Sequence, residues 1–381
     1  MTATATTPAP ASRAVGTWTL TWHGVRTVAA LELRQRVRSS RWKAALIVWF
    51  VVVGAITLLA SGALLFVGTS SASREASGAA LFVVVTALVL GLGLLVTPTL
   101  ASTAVNGDRS AGTLATLQVT LLSPAEIATG KLLAAWASAC AFLVVSLPFF
   151  VIALLMGGVP VATLPRVILL TALLLAAVCG MGLGWSTLAA RPAGSTVLTF
   201  VTVAGLTVFT PIFFGLTYPF LSTTQDVQVY GVPDSYWEEL NKLDADEAQA
   251  ALADEPVCEL TTQERSVAHT EWTWWLLAIN PFVVVADGAV PASAHAADSP
   301  GALAVDITSS VRALRLGSPD VLDECWSDDD SQAVLTTGSD AGPVWPFGLA
   351  VNLLLGAAGF IVAVRRLRLP QRTLPRGTRV A

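Results

Sequence analysis

Of the 381 residues, 54% are hydrophobic and 13% charged, whereas soluble domains carry about 25% charged residues. With a mean hydropathy of +0.67, this composition excludes an ordinary soluble fold and names lipid as the solvent. The net charge of −4 averages a basic and an acidic population held in different stretches, so it identifies no partner, and no nucleic acid is expected.

The chain starts with about 15 residues rich in Thr, Ala and Pro, which read as disordered. No short apolar core followed by a small-residue cleavage site marks a cleaved signal. Residues 1–43 form an N-terminal segment in which Arg13, Arg26, Arg34, Arg36, Arg38, Arg41 and Lys43 stand against Glu32 alone. Two readings fit it. One is a basic helix on the membrane surface, its arginines on anionic headgroups. The other is a basic flank that only sets topology.

Six uncharged runs follow, each near the roughly 20 residues that a bilayer core requires. They are Ala44–Val67, Gly78–Ala104, Leu132–Met156, Val167–Ala190, Thr196–Phe220 and Trp345–Val364. Unpaired backbone groups are too costly in lipid for anything but helix. The expected fold class is therefore all-α, a polytopic membrane protein with six transmembrane helices. Residues 44–220 would hold five of them and 345–364 the sixth. Of 26 acidic residues, 22 lie in 221–345, beside only Lys242, Arg265, Arg312 and Arg315. The tail 365–381 carries Arg365, Arg366, Arg368, Arg372, Arg376 and Arg379 and no acid. The positive-inside rule thus expects both termini in the cytoplasm and 221–344 outside, as an extracytoplasmic acidic domain in a cell-membrane protein.

The connection between the second and third runs, 106–131, holds the most local signal. Asp108 can cap a short helix, on which Leu114 and Leu117 share a face. Ser123, Pro124 and Glu126 then combine a capping serine, proline at the first helical position and glutamate at the third, which starts a second helix. That helix runs through Ile127 and Lys131 into the third span. The stretch reads either as a rigid cytoplasmic element suited to being pushed by a partner or as an ordinary connector.

These residues resemble the type-2 class of ABC exporter permeases. The match is Asp108, Arg109, Gly112, Thr113, Leu114, Leu117, Ser123, Pro124, Ile127, Gly130 and Lys131. Asp108 stands where the family usually has Glu. The arginine-rich N-terminal element, the six-span layout and Asn280-Pro281-Phe282 extend the similarity, while the large acidic insertion departs from it. The resemblance implies a dimeric permease, homomeric or heteromeric, whose 106–131 segment couples to a separate ATP-binding subunit. ATP and Mg would then sit on that partner. This chain has no GxxxxGK[ST] phosphate cradle, so it is expected to bind no cofactor and to hydrolyse no ATP.

Within the later spans, Gly180, Gly182 and Gly184 alternate and read as close helix packing. At 100° per residue, Thr196, Thr199, Thr202, Thr207, Thr210 and Thr217 fall on one side of the fifth run, with Phe213 and Phe214. Thr199, Thr202, Thr210 and Phe213 are the candidates for a translocation path, against threonines that only bond their own helix. Pro211 frees the carbonyl of Thr207. In 221–344, Ser235 with Glu238 starts a helix through Leu240, Leu243, Ala248 and Leu252. Segment 272–290 reads as interfacial or re-entrant, broken at Asn280-Pro281. Cys140 and Cys179 lie in spans. Cys258 and Cys325 lie outside, where disulfides persist, and are the candidate pair. No Cys/His spacing suits a metal, and Asp328-Asp329-Asp330 reads as a solvated loop. The rival functions are a membrane-anchored sensor or scaffold acting through 221–344, and a membrane-embedded enzyme. The enzyme lacks any nucleophile–base pair or HExxH motif.

Overall fold

The computed structural model describes residues 16–67, 71–112, 122–240, 242–244, 258–289, 302–317, 321–323 and 342–368. Thr113, Leu114, Leu117, Cys325 and the 328–330 aspartates lie outside these. Among the described residues, six helices are long and apolar enough to cross a membrane. After α1 (Trp22–Arg38), the spans are α2 (Ser40–Val67), α3 (Ser71–Ala101), α5 (Pro124–Leu155), α6 (Thr163–Leu188), a composite fifth span and α13 (Trp345–Arg366). A five-residue α4 (Asn106–Ser110) follows α3. The fifth span is α7 (Pro192–Ala204), one π turn at Gly205–Phe209, and α8 (Thr210–Leu221).

Span four is the most enclosed of the six and span five the least. Glycines set this arrangement. A Cβ on Gly180 would lie 2.4 Å from Gly356 O, and one on Gly184 would lie 2.7 Å from Gly359 Cα. Spans four and six therefore meet backbone to backbone, as small-residue membrane interfaces do. Gly182 turns the other way, where a Cβ would meet Ala101 Cβ at 2.9 Å. Around this pair, Trp49, Leu81, Val85, Phe142, Phe150, Leu174 and Val284 build the main apolar core.

The fold is not all-α. Between spans five and six lie β1 (Ser222–Gly231), α9 (Asp234–Leu240) and β2 (Glu259–Ala268), then α10 (Trp274–Ala278), α11 (Pro281–Ala289), α12 (Ala302–Leu316) and β3 (Val321–Asp323). The strands form one sheet in the order β2-β1-β3. β1 pairs antiparallel with β2 from Ser222↔Ala268 to Gly231↔Glu259, and parallel with β3 from Gln228↔Val321 to Tyr230↔Asp323. Val227, Val229 and Val267 are buried, and the neighbouring positions are largely polar. That alternation is the period of a half-buried strand, but with so few apolar residues it escapes a search for membrane-length runs. The expected helix at Ser235 starts one residue earlier, at Asp234, and its described part ends at Leu240.

Cys258, just before β2, is disulfide-bonded, and Cys140 and Cys179 are free. Non-reducing mass spectrometry is expected to find a peptide linking Cys258 to Cys325. Recovery of both as alkylated free thiols from intact cells would refute that pairing.

Candidate functional site

The N-terminal helix is fastened to the start of span three. Thr21 caps α1 by accepting from Gly24 N at 3.2 Å. Its own N–H donates to Glu126 Oε1 at 2.8 Å, and its hydroxyl lies 2.5 Å from the same oxygen. The expected capping box forms: Ser123 Oγ accepts from Glu126 N at 3.0 Å, and Glu126 Oε2 accepts from Ser123 N at 2.8 Å. Glu126 thus serves two helix starts with one carboxylate. Ser123 also donates to Thr19 O. Below this, a Cβ on Gly130 would lie 2.6 Å from Val28 Cβ, so the helices touch at van der Waals distance.

Lys131 completes the junction. It is 2% exposed, and its ammonium lies 2.5 Å from both Glu32 Oε1 of α1 and Asp108 Oδ2 of α4. A buried lysine of this kind requires paired charge. Arg36 of α1 adds a bond to Leu100 O, near the end of α3, at 2.9 Å. Asp108 sits inside α4, which ends when Gly112 adopts a φ of +72°, a turn that glycine makes without strain; the helix it was expected to cap, with Leu114 and Leu117, lies outside the described residues. Arg109 is exposed, and Pro124 occupies the first turn of α5. Thr113, Leu114 and Leu117 fall in the segment outside the described residues, bounded on one side by Asp108 and on the other by Ser123.

Lys131→Met should destabilise the purified protein by about 2–3 kcal/mol. Breaking a fully buried ion pair costs about 3–5 kcal/mol, and the 18% and 26% exposure of the Glu32 and Asp108 side chains lets water recover part of it. An unchanged thermal midpoint would show that the triad does not hold the junction.

The second polar centre lies on span five. Each path threonine donates to its own helix, Thr199 to Ser195 O, Thr202 to Leu198 O and Thr210 to Leu206 O. The side nevertheless points inward. Thr199 and Thr210 are buried, Thr202 accepts from Trp185 Nε1 at 3.0 Å, and Thr210 accepts from Asn280 Nδ2 at 3.1 Å. The carbonyl that Pro211 frees is also met by Asn280, whose Nδ2 donates to Thr207 O at 2.9 Å. Its Oδ1 accepts from Phe282 N at 2.9 Å and starts α11, so every polar group of this buried amide is used. Phe213 does not share the threonine side. It is 53% exposed, beside Phe209. The π turn takes more residues per turn than a regular helix, so a steady 100° step fails beyond Gly205.

Segment 272–290 is two short helices broken at Ile279-Asn280, packed on spans two, four, five and six. Asn352 of span six donates to Ile279 O at 2.9 Å, closing the break. Asp287 of α11 is the residue that sequence reasoning missed. Its carboxylate takes Arg312 Nε at 2.6 Å on one oxygen and the N–H groups of Val344 and Trp345, both at 2.8 Å, on the other. It therefore caps span six, whose own N-cap, Val344, has no capping side chain. Among the described residues, no group of three or more His, Cys, Asp and Glu is placed to hold a metal.

A family model for the ABC-2 family transporter proteins matches residues 26–325, from α1 through the junction to beyond the broken helix pair. The chain belongs to the ABC-2 transporter family. As an ABC-2 permease it is a multi-pass membrane component of an ABC transporter, a carrier rather than a catalyst. An ABC ATPase is the general partner of this family. No curated protein matches the chain.

Proposed function

We propose that this ABC-2 permease is the translocating subunit of an ATP-driven exporter, coupled to a separate ATPase through residues 106–131. ATP and Mg would be bound on that partner, which hydrolyses the ATP. The observation that carries the reading is the junction. The residues on both sides of 113–121 are tied to the same helix α1, Asp108 through Lys131 and Glu32, and Ser123 through Glu126 and Thr21. A push on the intervening segment then moves α1, span two and span three as one lever. Asp108, Arg109, Gly112, Thr113, Leu114, Leu117, Ser123 and Pro124 form that lever. The direction, outward, rests on the resemblance of this motif to exporter permeases.

The permease acts as a dimer, with a second copy or a homologous permease, in the cell membrane. Thr202 keeps surface open on span five and is assigned to the path between protomers, while Phe213, off the threonine side, is not. The buried Thr199 and Thr210 hold helices together beside it. The charge asymmetry supports cytoplasmic termini and an exterior 221–344. Reporter fusions at Ser73, Gly158 and Ser331 are expected outside, and fusions at Gly112, Gly194 and Thr378 inside. An exterior signal from Thr378 would reverse this orientation. The coupling claim is tested by purifying the tagged permease from its native membrane. A stoichiometric P-loop ATPase is expected with it, and an intact permease that recovers none would refute the claim.

A further inference from the structure

Between the coupling segment and the start of span five lies a third buried cluster, built from hydroxyls and one amide and carrying no charge. The helix of span two stops at Ala101 and α4 starts at Asn106. Val105, at the start of α4, has no capping side chain of its own. Ser186 of span four supplies the cap, accepting from Val105 N at 3.0 Å and Asn106 N at 3.1 Å. Asn106 Nδ2 then donates to Ser195 Oγ of span five at 3.3 Å. Ser102, Asn106, Ser186 and Ser195 are each at most 1% exposed.

The Ser195 hydroxyl has more acceptors than its proton can serve. Its single hydrogen has Ser102 O at 2.7 Å and Pro192 O at 2.9 Å within reach. One choice ties span five to the break after span two, and the other closes span five on itself. Beside it Thr196 reaches Pro192 O at 3.0 Å and shares a hydrogen bond with Ser102 Oγ at 2.9 Å, a second tie across the same gap. Asn106 Oδ1, also buried, has no hydrogen-bond partner among the described residues. Turning the amide over would leave its other end short instead. Buried polar groups are normally paired, and an exception calls for an explanation. A small shift of α4 is enough to move hydrogens from one set of acceptors to the other.

We infer that Asn106, Ser186 and Ser195 are positioning residues that carry a movement of the coupling segment into the first turn of span five. Ser186 is the pivot, because it stands on span four, which the glycine contact holds against span six. Asn106 is the arm and Ser195 the point of attachment. The inference rests on the coupling proposed above. It supplies the two-state element that the coupling of distant sites requires.

Hydrogen exchange read by mass spectrometry tests it on the permease purified with its ATPase, with and without a non-hydrolysable ATP analogue and Mg. In the native complex, the analogue is expected to change deuterium uptake in both 106–112 and 192–199. Ser195→Ala and Asn106→Leu should each keep the change in 106–112 and lose most of the change in 192–199. A purely structural role would instead raise uptake of 192–199 equally in both nucleotide states and leave the difference intact. Ser186→Ala, the mildest change at the pivot, has the same expected result and serves if the other variants fold poorly. A nucleotide response in 192–199 that survives in these variants overturns the inference alone. A native complex whose 106–112 region ignores the nucleotide overturns the coupling proposal and the inference together.

Discussion

Leu114→Asp combined with Leu117→Asp is expected to abolish co-purification of the ATPase, or to uncouple its hydrolysis from transport. In the proposed coupling the energy arrives through a protein contact, and the described residues on both sides of 113–121 are tied to α1. Truncating a buried interface hot spot costs about 2 kcal/mol or more, and an inserted carboxylate adds desolvation. Two such changes are worth a factor on the order of a thousand in affinity. The permease should still insert and dimerise, because the six spans and the Glu32–Lys131–Asp108 triad are untouched. Wild-type recovery of the ATPase with the double variant would remove the coupling role from this segment.

Asp287→Ala should be the most destabilising single substitution outside that contact. The Asp287 side chain is 0% exposed and that of Arg312 6%, so little water can take the place of the lost carboxylate. Removing one partner of a buried pair costs about 3–5 kcal/mol. The N–H groups of Val344 and Trp345 lose their acceptor as well. A drop of several degrees in the thermal midpoint is expected, with a smaller drop for Asp287→Asn, which keeps one acceptor oxygen. Equal midpoints for the two variants would mean that the N–H contacts at span six contribute nothing.

How much of this could be read beforehand depends on how local each signal is. The six spans follow from uncharged runs long enough to cross a bilayer as helices. The capping box at Ser123 and Glu126 and the close packing at Gly180 and Gly184 are short-range signals that stand where expected, and the break expected at Asn280-Pro281 falls one residue earlier, at Ile279-Asn280. Asp108 reads as a local cap, and it also pairs with Lys131, which binds Glu32 in turn. No rule of helix starts reveals the Lys131–Glu32 pairing across 99 residues. Asp287 was hidden for the same reason, since its partners lie 25 to 58 residues away. The sheet was missed because only alternate positions of β1 are apolar, and Phe213 was misplaced because one π turn broke an assumed period.

The glycine contact between spans four and six also bears on how the chain is made. Gly180 and Gly184 cannot meet Gly356 and Gly359 until the last span has left the ribosome, well over a hundred residues later. Until then Asp287 lacks the backbone amides of Val344 and Trp345, and the carbonyl of Ile279 lacks Asn352. A nascent chain that has not reached span six therefore carries an open backbone groove and unmet polar groups, which are costly in lipid. Span six thus acts as a keystone, and truncation before residue 345 removes the partners of Gly180, Gly184, Asp287 and Ile279 together.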